Sequence, residues 1–325
     1  MTSAMSQRAL HQAAGQGLRL LAADERCREA FTTPGSVLQD VLSPAARRYV
    51  LAPGRDEFLG HLQTLRAKSY RIAVEFVGEE NSDPAEIERV VDEYLAVLEH
   101  DPEPAQLGFD LSNLGLTVSR ELAVKNTARI TEAAAVRGSE VVLSMERAPA
   151  VDAVLDAYRE LAADHPNLGV TLQAYLHRTA QDLDSLPLEG RKVRLVKGAF
   201  NESTANALGR GPALDQRYLE LAAELARRGA RVSLATQDAT VLAEAKERGL
   251  LERVTEIEML HGVRPDLLRT YREAGYACRI YATYGENWWL HLLHRLAEHP
   301  PMVLTALADI AERHHDRGHT VGAGY

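Results

Sequence analysis

From residue 71 to residue 298 the chain repeats one unit eight times, a short apolar run followed by a longer amphipathic stretch. The apolar runs cover 71–77, 106–111, 140–145, 169–174, 193–197, 231–236, 254–259 and 277–281. The stretches between them read as helices over 83–100, 119–137, 151–163, a shorter one near residue 180, then 213–228, 239–248, 265–274 and 288–298. Runs this short and this apolar are strands buried on both faces, the signature of a parallel sheet. Strict strand–helix alternation requires parallel pairing, and eight units favour closure into a distorted TIM-like (βα)8 barrel of the α/β class. An open doubly wound sheet is the competing architecture. No Gly-x-Gly-x-x-Gly follows any of the runs, so the dinucleotide fingerprint of that fold is missing.

Residues 1–68 read as a helical arm, with helical stretches over 9–22, 43–50 and 56–67 and breaks at Pro34-Gly35 and Pro53-Gly54. The expected organisation is therefore an N-terminal arm over 1–68, a barrel over 69–300, and a C-terminal helix and tail over 301–325. A net charge of −9 and the lack of a long Lys/Arg run argue against nucleic acid as a partner. No apolar run approaches a membrane span, and the N-terminus lacks a signal-peptide layout, so the expectation is a cytoplasmic protein not integral to a membrane. Cys27 and Cys278 are too few for a disulfide framework, and the 12 histidines include no HExxH, so no metal site is expected.

In a barrel of this kind the active site lies at the carboxyl ends of the strands. The polar residues expected there are Glu79, Asp110, Ser144, Glu146, Gln173, Arg194, Lys197, Thr236, Gln237, Glu258 and Tyr281, with His294, Arg295 and Glu298 on the last helix. Arg194 and Lys197 interrupt the apolar run at 193–200, and a period of two puts them on opposite faces of a strand. A buried cation needs a partner. Two readings stay open: a core carboxylate pairs with it, or it is aimed at a bound cofactor or substrate.

Five segments, Leu172-Gln-Ala-Tyr-Leu-His-Arg-Thr179, Val193-Arg-Leu-Val-Lys-Gly-Ala-Phe200, Ala235-Thr-Gln-Asp238, Glu258-Met-Leu-His-Gly-Val263 and Arg279-Ile-Tyr-Ala-Thr-Tyr-Gly285, occur in that order ahead of 288–298. In order and spacing they resemble the proline dehydrogenase family, flavin enzymes on a distorted (βα)8 barrel with a helical N-terminal arm. The likeness runs from about residue 56 to 300. It implies an FAD cofactor, with Arg194 near flavin N5, Gln173 at the isoalloxazine edge, and Lys197, Gly198, Thr236 and Gln237 toward phosphates, ribose and adenine. Ser144 is counted with these cofactor contacts. Tyr281 and Leu260 resemble residues packing round the substrate ring, and Arg295 and Glu298 the carboxylate-binding arginine and the glutamate that orients it. Arg194, Asp110 and Tyr281 are the expected catalytic residues.

The departures from the family pattern gather in the substrate pocket. Asp110 stands where the family has a lysine, Ser144 where it has an aspartate, Phe200 where it has a tyrosine, Gln237 where it has a histidine, and His294 where it has the first of two arginines. Unit charges at close range in a partly buried site interact at about 4 kcal/mol for an effective dielectric near 20. Exchanging attraction for repulsion at Asp110 thus removes several powers of ten in affinity for a free carboxylate, unless Asp110 pairs locally with Arg295 or His294. The expected function is hydride transfer from a C–N or other nitrogen-bearing bond of a small amine or imino acid to flavin N5, the substrate not being ordinary L-proline. Asp110, Leu260, Tyr281, His294, Arg295 and Glu298 are the expected substrate contacts, and a quinone, another carrier or oxygen is the electron acceptor. The alternatives are conventional L-proline dehydrogenation and a non-catalytic flavin-binding barrel acting as a partner protein. A metal-dependent hydrolase built on Asp110, Glu146 and His261 lacks a coherent ligand spacing.

Overall fold

The structure, a computed structural model, describes residues 7–33, 35–78, 81–103, 105–298, 302–312, 322, 324 and 325, without the side chains of 7, 8, 12, 23, 298 and 312. Four helices come first: α1 (Gln7–Ala23), α2 (Glu25–Thr32), α3 (Val37–Ala46) and α4 (Arg55–Arg66). The alternating region follows as β1 (Arg71–Phe76), α5 (Pro84–His100), β2 (Gln106–Phe109), α6 (Arg120–Val136), β3 (Val141–Leu143), α7 (Val151–Ala162), β4 (Leu168–Gln173) and α8 (Thr179–Asp182). It continues as β5 (Lys192–Val196), α9 (Pro212–Arg227), β6 (Arg231–Ala235), α10 (Ala239–Glu247), β7 (Glu256–Leu260), α11 (Pro265–Glu273), β8 (Cys278–Tyr284), α12 (Trp289–Glu298) and α13 (Met302–Glu312). The strands run in sequence order round a closed barrel, every neighbouring pair parallel, and β8 returns to β1. This is the closure that the eightfold alternation predicts.

Local chemistry accounts for the main elements. Asp83 caps α5 by accepting from the Ala85 N–H, Pro84 occupies the first turn, and Ile87, Val90, Val91, Tyr94, Val97 and Leu98 form the buried face. The Tyr94 hydroxyl donates to Gly108 O at 2.9 Å, which ties the helix to the inner strand β2. Several predicted bounds shift, β3 (Val141–Leu143 for 140–145) and β8 (Cys278–Tyr284 for 277–281) among them, and two shifts have a local cause. The helix expected over 43–50 is α3, capped by the Ser36 hydroxyl on the Gln39 N–H, and Pro44 lies inside it rather than starting it. The second strand stops at Phe109, because Leu111–Leu114 fold into a 3-10 turn that ends at Gly115 with φ 104°.

The inside of the barrel is polar in tiers. Near the amino ends of the strands, Glu256 accepts from Lys192, from Arg279 at 2.7 Å, from Ser233 at 2.6 Å and from Arg71 at 3.0 Å. Burial alone would raise the Glu256 pKa, yet Arg279 and Lys192 hold its carboxyl well below the ordinary range. A satisfied floor of this kind is tolerable where a single unpaired charge is not. A second apolar cluster, with Phe31, Tyr49, Trp288, Trp289 and Leu292, joins the first helices to α12. Leu51 N–H donates to Thr283 O at 2.8 Å, fixing the arm to the rim of β8. No helix among the described residues is long and apolar enough to cross a membrane.

Candidate active site

A cavity of about 730 Å³ opens at the carboxyl ends of the strands. At its base sits Arg194. Its side chain projects from β5 into the barrel, ion-pairs with Glu258 on β7, and lies 4.4 Å over the ring of Tyr281 on β8. A core carboxylate therefore pairs with Arg194, which also lines the cavity. Burial would lower the arginine pKa, and the Glu258 charge beside it more than offsets that, so the guanidinium stays charged. The other carboxylate oxygen of Glu258, Oε2, has no partner among the described residues, although the residue is 1% exposed.

Tyr281 is held on three sides. It hydrogen-bonds Glu75 of β1, stacks under Arg194, and its hydroxyl presses on β2 where only Gly108 leaves room. A Cβ at position 108 would lie 2.4 Å from the phenolic oxygen. Burial, then the Glu75 charge, pushes the Tyr281 phenol well above its usual value.

Along β1 to β3 the cavity wall is acidic. Glu75 and Asp110 line it with Glu146 behind, and Ser144 hydrogen-bonds Asp110. Burial first, then Glu75 and Glu146, pushes the Asp110 carboxyl well above the carboxylate range, and Glu75 is raised by burial as well. Ser144, expected among the cofactor contacts, is therefore placed against Asp110 on the acidic wall. Arg194 works against that rise by favouring the charged form of Asp110.

The opposite rim, from β5 to β7, carries cations. Lys197 does not obey the period of two, because β5 ends at Val196 and the chain has left the strand. It lines the same cavity as Arg194 and contacts Asp215 at 2.5 Å and Asp238 at 2.6 Å. Arg210 reaches over to donate to Gly198 O at 2.7 Å. Gly198 has φ 116°, and a Cβ there would meet the Tyr175 ring at 2.3 Å, so glycine is required on both counts. The Thr236 hydroxyl accepts from the Asp238 N–H at 3.2 Å, and Gln237 lines the cavity beside it. Gln173 spends its amide nitrogen on Met145 O and Glu146 O, both at 3.1 Å, and its Oε1 is left without a partner at 3% exposure.

Leu260 stands opposite Tyr281 in the strand register, and His294 and Arg295 line the cavity from α12. The His294 ring meets Phe200 edge-on at 6.2 Å. Glu79 and the side chain of Glu298 lie outside the described residues. The sequence reading missed several lining residues, Arg210, Thr171, Glu75 and His291 among them. Glu75 is the one charge in the apolar body of β1, and its inward parity was available from the strand period. His291 shares a helix face with His294 and Arg295 at i+3 and i+4 and lines the cavity, and burial followed by Arg295 pushes its pKa well below the usual value. Among the described residues no group of His, Cys, Asp and Glu could hold a metal ion.

The proline dehydrogenase family model matches residues 58–298. The chain belongs to the proline dehydrogenase family. It is accordingly an oxidoreductase of a flavin-using family. Proline dehydrogenase 1 of Bacillus subtilis subsp. natto is 27% identical over 276 residues, 82% of this chain and 91% of the relative. Proline dehydrogenase of Deinococcus radiodurans is 28% identical over 269 residues, 78% of this chain and 86% of the relative. Among solved structures, proline utilization A (PutA) from Bdellovibrio bacteriovorus inactivated by N-propargylglycine superposes with a TM-score of 0.71 at 17% identity, over 94% of this chain. The chain spans 39% of that larger protein, and at this identity the likeness speaks for the fold.

Proposed function

We propose that the protein oxidises a carbon–nitrogen bond of proline or a closely related small amine, the hydride passing to N5 of FAD. The observation that carries this reading is Arg194, a buried guanidinium fixed by Glu258 and Tyr281 at the base of the cavity, in a chain of this family. The relatives are named as proline dehydrogenases, which supports conventional proline oxidation better than the divergent amine expected from the pocket's departures.

The residues present fit FAD. Gln173 Oε1 is a buried acceptor without a partner facing the cavity, suited to an N–H on the isoalloxazine edge. Lys197, Gly198, Thr236, Gln237 and Arg210 would hold the phosphate, ribose and adenine side. Bound FAD supplies a two-electron acceptor for hydride, chemistry no side chain offers.

The chain's own residues do the rest. Arg194 would offer a fixed positive charge to bound FAD, and its pair with Glu258 means that the guanidinium need not reorganise during the reaction. Tyr281 and Leu260 pack the substrate ring, and Arg295 and His294 face its carboxyl group. The electron acceptor that restores the flavin is a quinone, another carrier or oxygen.

The test is turnover with an artificial electron acceptor. L-Proline should drive acceptor reduction by the FAD-loaded protein, and Arg194→Met should lower kcat by about 10²-fold or more while flavin stays bound. A flavin-loaded protein that turns over no small amine would overturn the proposal.

A further inference from the structure

We infer that Glu75 and Asp110 form an amine subsite, so that the substrate is gripped by its nitrogen more than by its carboxylate. The inference rests on the reading above for which bond reacts, and not for the binding itself. The two carboxyls line the cavity from adjacent strands β1 and β2. The cation that acts most strongly on both, Arg194, is already paired with Glu258. A carboxylate brought against this wall meets like charge, whereas an ammonium meets two acceptors and an attractive field.

Two further groups point at a ligand with N–H donors. The Thr171 hydroxyl, on β4 next to β3, is 2% exposed, lines the cavity and has no partner among the described residues. Glu258 Oε2 is an unpartnered buried acceptor on the opposite wall. Buried acceptors left open are costly in a native fold unless something fills them. The ligand class that fits is a small secondary or primary ammonium, with or without an acidic substituent. Arg295 then supplies the carboxylate contact as an addition to the nitrogen contact rather than as the anchor.

The wall also predicts how the amine arrives. Glu75 and Asp110 repel each other, with Glu146 adding to the repulsion, while Arg194 and the hydrogen bonds from Tyr281 and Ser144 favour ionisation. Arg295 also favours the charged form of Glu75. Both carboxyls are thus held toward their protonated forms, and a cation bound between them favours the charged forms, so its binding should release a proton to solvent.

Titration calorimetry of the full FAD-loaded chain at neutral pH tests this with pyrrolidine, which has the nitrogen and no carboxylate, and with cyclopentanecarboxylate, which has the reverse. Pyrrolidine should bind at least about tenfold more tightly, with an enthalpy that varies with buffer ionisation heat because a proton is released. Asp110→Asn and Glu75→Gln should each weaken pyrrolidine by about tenfold and abolish the buffer dependence. Tighter binding of cyclopentanecarboxylate, binding of neither probe, or pyrrolidine binding unchanged in the double variant would each overturn the inference. Should the chain take up no FAD, the same titrations on the apoprotein decide the subsite while the flavin reading alone fails.

Discussion

Removing the Arg194 side chain separates two roles that the geometry gives it, holding the barrel together and serving the reaction. In Arg194→Met the ion pair to Glu258 is lost, and so is the contact with the Tyr281 ring 4.4 Å away. Glu258 is left with 0% of its side chain exposed and neither oxygen partnered, since Oε2 already lacks one. Breaking a buried pair in this one-sided way costs about 3–5 kcal/mol. Glu258→Gln in the same chain removes the stranded charge, so the double variant should recover about 2 kcal/mol, a coupling within the ~0.5–3 kcal/mol seen for residues in one network. Urea unfolding of the four apoproteins, followed by far-ultraviolet circular dichroism, gives the cycle directly. A loss under about 1 kcal/mol in Arg194→Met, or strict additivity of the two changes, would refute the argument that the Arg194–Glu258 pair is coupled in the barrel interior.

Two other outcomes follow from the same site. Gly108→Ala puts a methyl 2.4 Å from the Tyr281 hydroxyl, so it should destabilise by about 1–3 kcal/mol, and Tyr281→Phe in the same chain should relieve most of that; equal losses with and without the hydroxyl would contradict the clash. Glu75 and Asp110 have folded pKa values raised above their ordinary 4.5 and 3.8. Unfolding therefore releases protons there, and their contribution to stability, full below those ordinary values, is lost as pH rises through the raised ones. Melting temperatures measured upward from the ordinary carboxylate range should show Glu75→Gln/Asp110→Asn gaining on the parent as pH rises, and parallel curves would show that the carboxyls are not perturbed.

The fold was legible because a closed parallel barrel writes itself along the chain as short apolar runs spaced by amphipathic helices, and the caps followed suit, as with Asp83 ahead of α5. Much of the cavity lining was legible too, since strand ends in such a barrel converge. What stayed hidden is pairing across long sequence separations. Nothing local to Lys192 announces that it meets Glu256 across the barrel floor, or that Lys197 will find Asp215 on α9 and Asp238 ahead of α10. Parity failed for Lys197 because the strand ended one residue earlier than the apolar pattern. Glu75 was hidden by its surroundings, a lone acid in an apolar strand whose partner, Tyr281, is on the far end of the chain. Asp110 stood out in the sequence as a departure from the family pattern, but its neighbour in space, Glu75, which helps raise its pKa, did not.

The most direct test of the account is an absorbance spectrum of the purified chain, taken after incubation with FAD and again during anaerobic addition of L-proline and then pyrrolidine. The account predicts flavin bands that survive removal of free FAD and bleach as a small cyclic amine is added. Bands that persist through both amines, or a chain that retains no flavin at all, would contradict it.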